Sequence, residues 1–135
     1  MKKRGILHPQ TCEFLARQGH RDRFAITDAG YNIPKNIERI DLAFLPNIPE
    51  ILQVLDAVLD EIVVEKVILA SEIKEYAPEL LEEYIKRFDS AKTEIEFIPH
   101  AEFDKLMPTI NGAIRTGGYM LHAPNIILQA GCTYD

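Results

Sequence analysis

The sequence predicts an α/β fold, a three-layer α/β/α sandwich with a mostly parallel sheet in a single domain over residues 1–135. One observation is that short apolar runs typical of strands alternate along the chain with segments of helical period. A second is the run at 66–70, which is apolar from Val67 onward, as expected of a strand covered on both faces. A third is the apolar share of 47%, which is enough for one packed core in a chain of this length.

The first predicted elements are a helix and a buried strand. His8-Pro9 starts the helix, because proline suits the first helical turn, and Gly19 is expected to stop it as a left-handed cap. The apolar run 24–26 predicts the strand, and the turn signal Asp28-Ala29-Gly30 ends it. His20 therefore falls in the turn that leads into this strand.

The middle of the chain predicts a strand, a helix and a second buried strand. Apolar and polar residues alternate over 40–44, which favours a short strand. The helix begins near Pro49, and its apolar residues from Ile51 to Ile62 repeat at i, i+3 and i+4, the clearest helical pattern in the protein. The buried strand at 66–70 follows this helix.

The last part of the chain predicts two helices and three short strands. Pro78 opens a helix with one apolar face, and the alternation at 94–98 predicts a half-exposed or edge strand. A short helix is predicted at 101–107, where acidic residues in the first turn suit the helix dipole. Strands at 113–115 and 125–128 complete the predicted sheet.

Charge and apolar pattern limit the partners of this chain. The formal net charge of −6 argues against a general nucleic-acid or anionic-membrane binder, since such a protein would present a basic surface. No apolar run approaches a membrane span, and no apolar export region follows the basic N-terminus. Cys12 and Cys132 lack a paired-motif spacing and are predicted to be reduced thiols. We therefore predict a cytoplasmic protein with no membrane and no nucleic-acid partner.

Two candidate functional residues lie at the ends of predicted strands. Asp28 follows the strand at 24–26, and His100 follows the strand at 94–98. In α/β sheets, ligands collect at the carboxyl ends of strands, so these side chains are placed where a site is expected. The alternative from spacing alone is that Asp28 caps a turn, that His100 caps a helix and that His20 is solvated.

Four short motifs follow one another in the first third of the chain: Gly19-His20, Asp28-Ala29-Gly30, Ile33-Pro34-Lys35 and Arg39-Ile40-Asp41. Together with matching stretches farther along the chain, they resemble the D-ribose pyranase family, which is related to the L-fucose mutarotases. The resemblance covers nearly the whole chain and implies a sugar-ring isomerase that interconverts pyranose and furanose forms, and anomers, of a free monosaccharide, with D-ribose expected. Such a reaction needs no metal and no cofactor.

The resemblance also implies roles for individual residues. His20 corresponds to the proton donor, and histidine suits this role because its unperturbed pKa is about 6.5. Asp28, His100 and Asn125 correspond to sugar-binding positions. Asp28 has the alternative role of orienting a histidine, which carboxylates near imidazoles often do. The absence of His-x-x-x-His and Cys-x-x-Cys spacing argues against a metal site.

The chain departs from the family pattern near its C-terminus. Ala123 stands where the family has a tyrosine, after one extra residue in the loop 118–121, and Tyr119 or His122 is a candidate replacement. The glycines at 117–118 are expected to give this loop backbone freedom. Asp104 stands where the family has a lysine, with Lys105 beside it. These departures predict a changed sugar preference rather than a changed reaction.

Three further hypotheses remain open at this point. One is a mutarotase for another sugar, such as L-fucose. Another is a non-catalytic sugar-binding accessory of a transport system. The third is a purely structural subunit, which does not explain why Asp28 and His100 both lie at strand ends. The resemblance further implies self-association into a ring-like homo-oligomer, a decamer in the family, with sites between subunits.

Overall fold

The structure, a computed structural model, describes residues 1–134. Over these residues the chain forms six strands, five α-helices and one 3₁₀ turn, and it confirms the predicted α/β class. The helices are α1 (Pro9–Ala16), α2 (Ile51–Leu59), α3 (Ile73–Tyr76), α4 (Pro78–Lys86) and α5 (His100–Leu106), and the 3₁₀ turn is Met107–Thr109. The strands are β1 (Arg23–Thr27), β2 (Glu38–Asp41), β3 (Val64–Ala70), β4 (Glu94–Ile98), β5 (Gly112–Arg115) and β6 (Ile126–Ala130).

The strands form one sheet in the order β2-β5-β1-β6-β3-β4. Its parallel pairs are β1 with β5, β2 with β5, and β3 with β4, whereas β6 is antiparallel to both of its neighbours, β1 and β3. The connection 116–125 between β5 and β6 is shorter than the dozen or so residues that a parallel crossover needs. Strand β6 therefore returns in the opposite direction, and it begins at the edge where the other strands end.

Helices cover both faces of the sheet, as the sequence predicts. On one face, α1, α2, α3 and α4 pack against strand residues that include Phe24 and Ile26. On the other face, α5 and the 3₁₀ turn pack Phe103 and Met107 against residues that include Ala25. The alternation of Phe24, Ala25 and Ile26 between two cores follows from the two-residue period of a strand.

Three local predictions are wrong or incomplete. Helix α1 ends at Ala16, and the left-handed residue in the turn after it is Arg21, with φ 75°, rather than Gly19. Strand β2 is Glu38–Asp41 rather than 40–44, because the chain turns away beyond it and leaves Phe44 78% exposed. The short helix α3 was not predicted. Within the described residues, no helix is long and apolar enough to cross a membrane.

Candidate active site at two edges of the sheet

The carboxyl edge of the sheet joins Asp28 to Asn125. Asp28 follows β1 directly, and Asn125 precedes β6, which starts at this edge because it runs antiparallel to β1. The backbone N–H of Asp28 donates to Oδ1 of Asn125 at 2.9 Å, and Asn125 is buried. Two of the predicted sugar-binding residues are therefore in direct contact, although they are far apart in sequence.

The carboxylate of Asp28 is only partly satisfied. Its Oδ1 atom is buried and has no hydrogen-bond partner within residues 1–134. Burial raises the pKa of Asp28, and the backbone amides of Tyr31 and Gly30 and the charge of Arg115 offset part of this effect. A buried acceptor without a partner is unfavourable, so a ligand hydroxyl that donates to Oδ1 would supply the missing hydrogen bond.

His100 lies at the same edge, at the start of α5. Its backbone N–H donates to the carboxylate of Glu72 at 3.0 Å, and its Nδ1 is 3.2 Å from Oδ2 of Asp104. The hydroxyl of Tyr31 donates to Oδ1 of the same aspartate at 2.7 Å. Burial, together with this carboxylate, raises the pKa of the Tyr31 hydroxyl, which keeps it protonated as a donor.

Sequence reasoning missed two residues that contact His100 or Asp104 at this edge, namely Tyr31 and Glu72. Glu72 lies just after β3, so the rule that sites form at the carboxyl ends of strands could have found it. The contact between Tyr31 and Asp104 joins residues 73 positions apart, and no local pattern indicates it.

The loop after β5 is held tightly against Asp28. The hydroxyl of Thr116 donates to the carbonyl of Thr27 at 2.7 Å, and the backbone N–H of Ala29 donates to the carbonyl of Gly118 at 2.9 Å. A Cβ atom on Gly118 would lie 3.3 Å from Cα of Asp28. The expected backbone freedom at 117–118 is wrong, since these glycines allow close approach and neither has a positive φ.

The three candidate replacements are Tyr119, His122 and Lys105. Among the described residues, none of them forms a hydrogen bond or an ion pair with the carboxyl-edge residues Asp28, His100, Asn125, Tyr31, Glu72 and Asp104. The backbone N–H of Tyr119 donates to Asn47, and its side chain lines a shallow surface with Ala43 and Phe44. His122 is exposed, and its ring lies 6.4 Å from that of Tyr76. Lys105 is 74% exposed and pairs with Glu102 at 3.3 Å. Their roles in sugar binding remain predictions.

His20 lies at the opposite, amino edge of the sheet. It precedes β1, whereas Asp28 follows it, and the strand between them spans about 13 Å at the usual rise per residue. Nε2 of His20 is 2.9 Å from Oε2 of Glu65, which lies near the start of β3. The structure therefore separates the predicted proton donor from the predicted sugar-binding residues within one copy of the chain.

A cavity of about 610 Å³ opens at this amino edge, and its lining includes Glu65, Lys92 and Cys132. Within residues 1–134, no group of three or more His, Cys, Asp or Glu side chains is arranged to hold a metal ion.

Comparison with known proteins adds relatives that cover the full length of the chain. A sequence profile of the RbsD / FucU transport protein family matches residues 1–133. The D-ribose pyranase of Geobacillus thermodenitrificans is 41% identical over 135 residues, which is 100% of both chains. The D-ribose pyranase of Clostridium novyi is 42% identical over 134 residues, covering 99% of this chain and 100% of the relative.

Solved structures agree with this similarity. The structure of Bacillus subtilis RbsD complexed with D-ribose superposes with a TM-score of 0.92 and 37% identity, covering 99% of this chain and 100% of that one. The fucose mutarotase of Streptococcus pneumoniae, solved in complex with L-fucose, has a TM-score of 0.71 at 18% identity, over 96% of this chain and 100% of that one. At that identity the second similarity is one of fold.

Proposed function

Because the chain belongs to the RbsD / FucU transport protein family, we propose that it is a sugar-ring isomerase that interconverts pyranose and furanose forms, and anomers, of a free monosaccharide. D-ribose is the first substrate to test, since it is bound in the similar Bacillus subtilis structure. The observation that carries the proposal is the buried Oδ1 of Asp28 next to Asn125, an acceptor that has no hydrogen-bond partner among residues 1–134 and that a sugar hydroxyl would satisfy. We expect the protein to act in the cytoplasm.

The reaction requires two proton transfers and no change of oxidation state. The bond between the anomeric carbon and the ring oxygen breaks, and the anomeric oxygen loses its proton as it becomes the carbonyl oxygen. The former ring oxygen gains a proton and becomes a hydroxyl. Closure through the same or another hydroxyl reverses these transfers and gives the other anomer or ring size. An imidazole near neutral pH can both accept and donate the proton, which is the role we assign to His20.

We infer that a complete site needs two copies of the chain. His20 belongs to one edge of the sheet, and Asp28, His100 and Asn125 belong to the other. Head-to-tail contact between the amino edge of one copy and the carboxyl edge of the next would close a ring if the rotation between successive copies divides evenly into a full turn. Apolar side chains exposed near the carboxyl edge support such a contact, since exposed apolar surface marks interfaces; they are Phe44 (78%), Leu45 (53%), Ile48 (52%) and Met120 (85%).

The activity is tested by NMR saturation transfer on ribose with and without the protein. An isomerase transfers saturation between the signals of the ring forms, because it speeds their exchange. A sugar-binding accessory broadens the signals and leaves the exchange rate unchanged, and that result would contradict the proposed function.

The shared site is tested by mixing two variants, each of which should lose most of its exchange activity at a ribose concentration well below the dissociation constant. His20→Ala and Asp28→Asn chains, co-expressed with different tags and purified through both, would place some intact His20 edges against intact Asp28 edges. With random assembly, about a quarter of the sites would regain both residues, so we expect about a quarter of the wild-type exchange rate. Sites contained in single copies would show no recovery, and each variant purified alone is the control.

A further inference from the structure

Four side chains form a continuous hydrogen-bonded row at the amino edge. Nε2 of His20 is 2.9 Å from Oε2 of Glu65, whose other oxygen, Oε1, accepts from Nε2 of Gln129 at 2.6 Å. Oε1 of Gln129 in turn accepts from Nε of Arg23 at 2.8 Å. Both oxygens of the Glu65 carboxylate are thus used, one toward the sheet and one toward the imidazole.

The backbone of β3 directs the side chain of Glu65 toward its position between His20 and Gln129. Val64 lies opposite Ala130 and Lys66 lies opposite Gln129, so Glu65 is an extra residue in the β3–β6 ladder. Such a bulge turns a side chain away from its regular direction, and bulges are frequent beside active sites. Gly131 makes room for it, because a Cβ atom there would lie 3.3 Å from Cβ of Glu65 and 3.0 Å from Cγ1 of Val63.

The turn that carries His20 is fixed to the same strand. The backbone N–H of Arg21 donates to the carbonyl of Ala130 at 2.8 Å, and the Asp22 carboxylate accepts from the N–H of Gly19 at 2.7 Å. Strand β6 therefore positions both partners, the imidazole through its turn and the carboxylate through Gln129.

We propose that Glu65 is the positioning residue for His20, held in place by Gln129 and Arg23, and that it leaves Nδ1 as the imidazole nitrogen that exchanges protons with the sugar. This proposal rests on the proposed function of His20. Within residues 1–134, Nδ1 has no hydrogen-bond partner, and the His20 side chain is 46% exposed.

The charge of Glu65 determines which nitrogen carries the hydrogen. The side chain of Gln129, and then that of His20, hold the pKa of the Glu65 carboxyl below its ordinary value, so it is ionised near neutral pH. An ionised carboxylate only accepts hydrogen bonds, so Nε2 carries the hydrogen in neutral His20 and Nδ1 presents its lone pair. Nδ1 then takes the proton from the anomeric hydroxyl, and the imidazolium returns a proton to the ring oxygen, with Glu65 stabilising the cation in between.

The test is Glu65→Gln, which keeps the shape of the side chain and removes its charge. The control is Glu83→Gln on α4, since Glu83 also accepts from two side chains, Lys86 and Arg87, away from both edges. We expect the exchange rate to fall about 10- to 100-fold, a part of what a placed acid–base group contributes, with the dissociation constant of ribose unchanged. The control should keep the wild-type rate.

A second readout separates positioning from general stability. The ¹⁵N NMR spectrum of the His20 ring reports which nitrogen carries the hydrogen, and we expect Glu65→Gln to change it in the sugar-free protein while Glu83→Gln does not. An unchanged exchange rate or an unchanged ring spectrum in Glu65→Gln would overturn the proposal. If the wild-type protein shows no exchange, the proposed function fails, and the ring spectrum alone decides whether Glu65 sets the state of His20.

Discussion

The two edges of the sheet differ in how they hold their polar groups. At the carboxyl edge, Asn125 is 6% exposed and Asp28 keeps an oxygen buried, while the side chain of His100 at the start of α5 is 40% exposed. At the amino edge, the side chains of His20 and Glu65 are 46% and 32% exposed. Selective binding of hydroxyls requires desolvated partners in fixed positions, whereas a group that exchanges protons must be able to change its charge. In the proposed function, the two requirements fall at opposite ends of one sheet.

The largest expected effect is the loss of proton transfer at the amino edge alone. His20→Ala should reduce the exchange rate about 100- to 10,000-fold, the range of a general acid–base group, while ribose still binds at the intact carboxyl edge. Saturation transfer measures the rate, and an NMR titration measures binding. His8→Asn is the control, because it removes another imidazole and keeps a residue that caps α1 well. A wild-type rate in His20→Ala would show that the acid–base group lies elsewhere.

The second effect is a loss of binding at the carboxyl edge alone. Asp28→Asn should weaken ribose binding about 10- to 100-fold, because a hydrogen bond to a charged group contributes about 1.5–3 kcal/mol. Asp89→Asn, at an exposed turn, is the control. Unchanged affinity would leave Asp28 as a turn-capping residue.

A smaller effect is expected for sugar preference, which tests the part of the carboxyl edge around Asp104 on α5. Asp104 accepts hydrogen bonds where the family resemblance implies a donating lysine, so the wild type should act on other sugars besides ribose. Asp104→Lys should shift the relative exchange rates of ribose, fucose, galactose and allose toward ribose by about tenfold. Glu102→Lys makes the same change of charge on the same helix, at a side chain that is 56% exposed. Exclusive action of the wild type on ribose would contradict this prediction.

The smallest effect is on stability, and it follows from the buried carboxylate. Because the pKa of Asp28 is raised in the folded protein, its contribution to stability is fully present below the unfolded value of about 3.9 and is lost as the pH rises through the folded value. Asp28→Asn stays neutral, so it should raise the free energy of unfolding at pH 7, with a difference that shrinks toward pH 4. Urea unfolding at both pH values measures the difference in the free energy of unfolding between the variant and the wild type. An equal difference at pH 7 and pH 4 would contradict a raised pKa of Asp28 in the folded protein.

Much of the carboxyl edge was predictable from the sequence. Asp28 and His100 follow apolar runs, and strand ends are where sites form in α/β sheets. Asn125 was predicted only from the family resemblance. Its contact with Asp28 depends on the reversed direction of β6, which the pattern of apolar residues does not indicate. The contact of Tyr31 with Asp104 is also tertiary, and a local pattern carries no information about it.

The amino edge was harder to predict, although part of it was within reach. A strand lies between His20 and Asp28 in the sequence, so their placement at opposite edges followed from the predicted elements themselves. The bulge at Glu65 could not be predicted in this way. A one-residue shift in register arises from pairing with β6, and the residue pattern of the run 66–70 does not indicate it. The partner of His20 was therefore visible only in three dimensions.

Strand β6 also determines which changes of length this chain tolerates over evolution. Asn125 directly precedes it at one edge, and Gln129 lies near its end at the other, so the strand fixes the spacing between the two edges of one copy. An insertion of one residue within 126–130 would turn every following side chain to the other face and displace Gln129 from Glu65. The loop 118–121, where the family resemblance implies an extra residue, lies outside that constraint. Insertions and deletions among relatives should therefore accumulate in the loop, while the length of the strand stays constant.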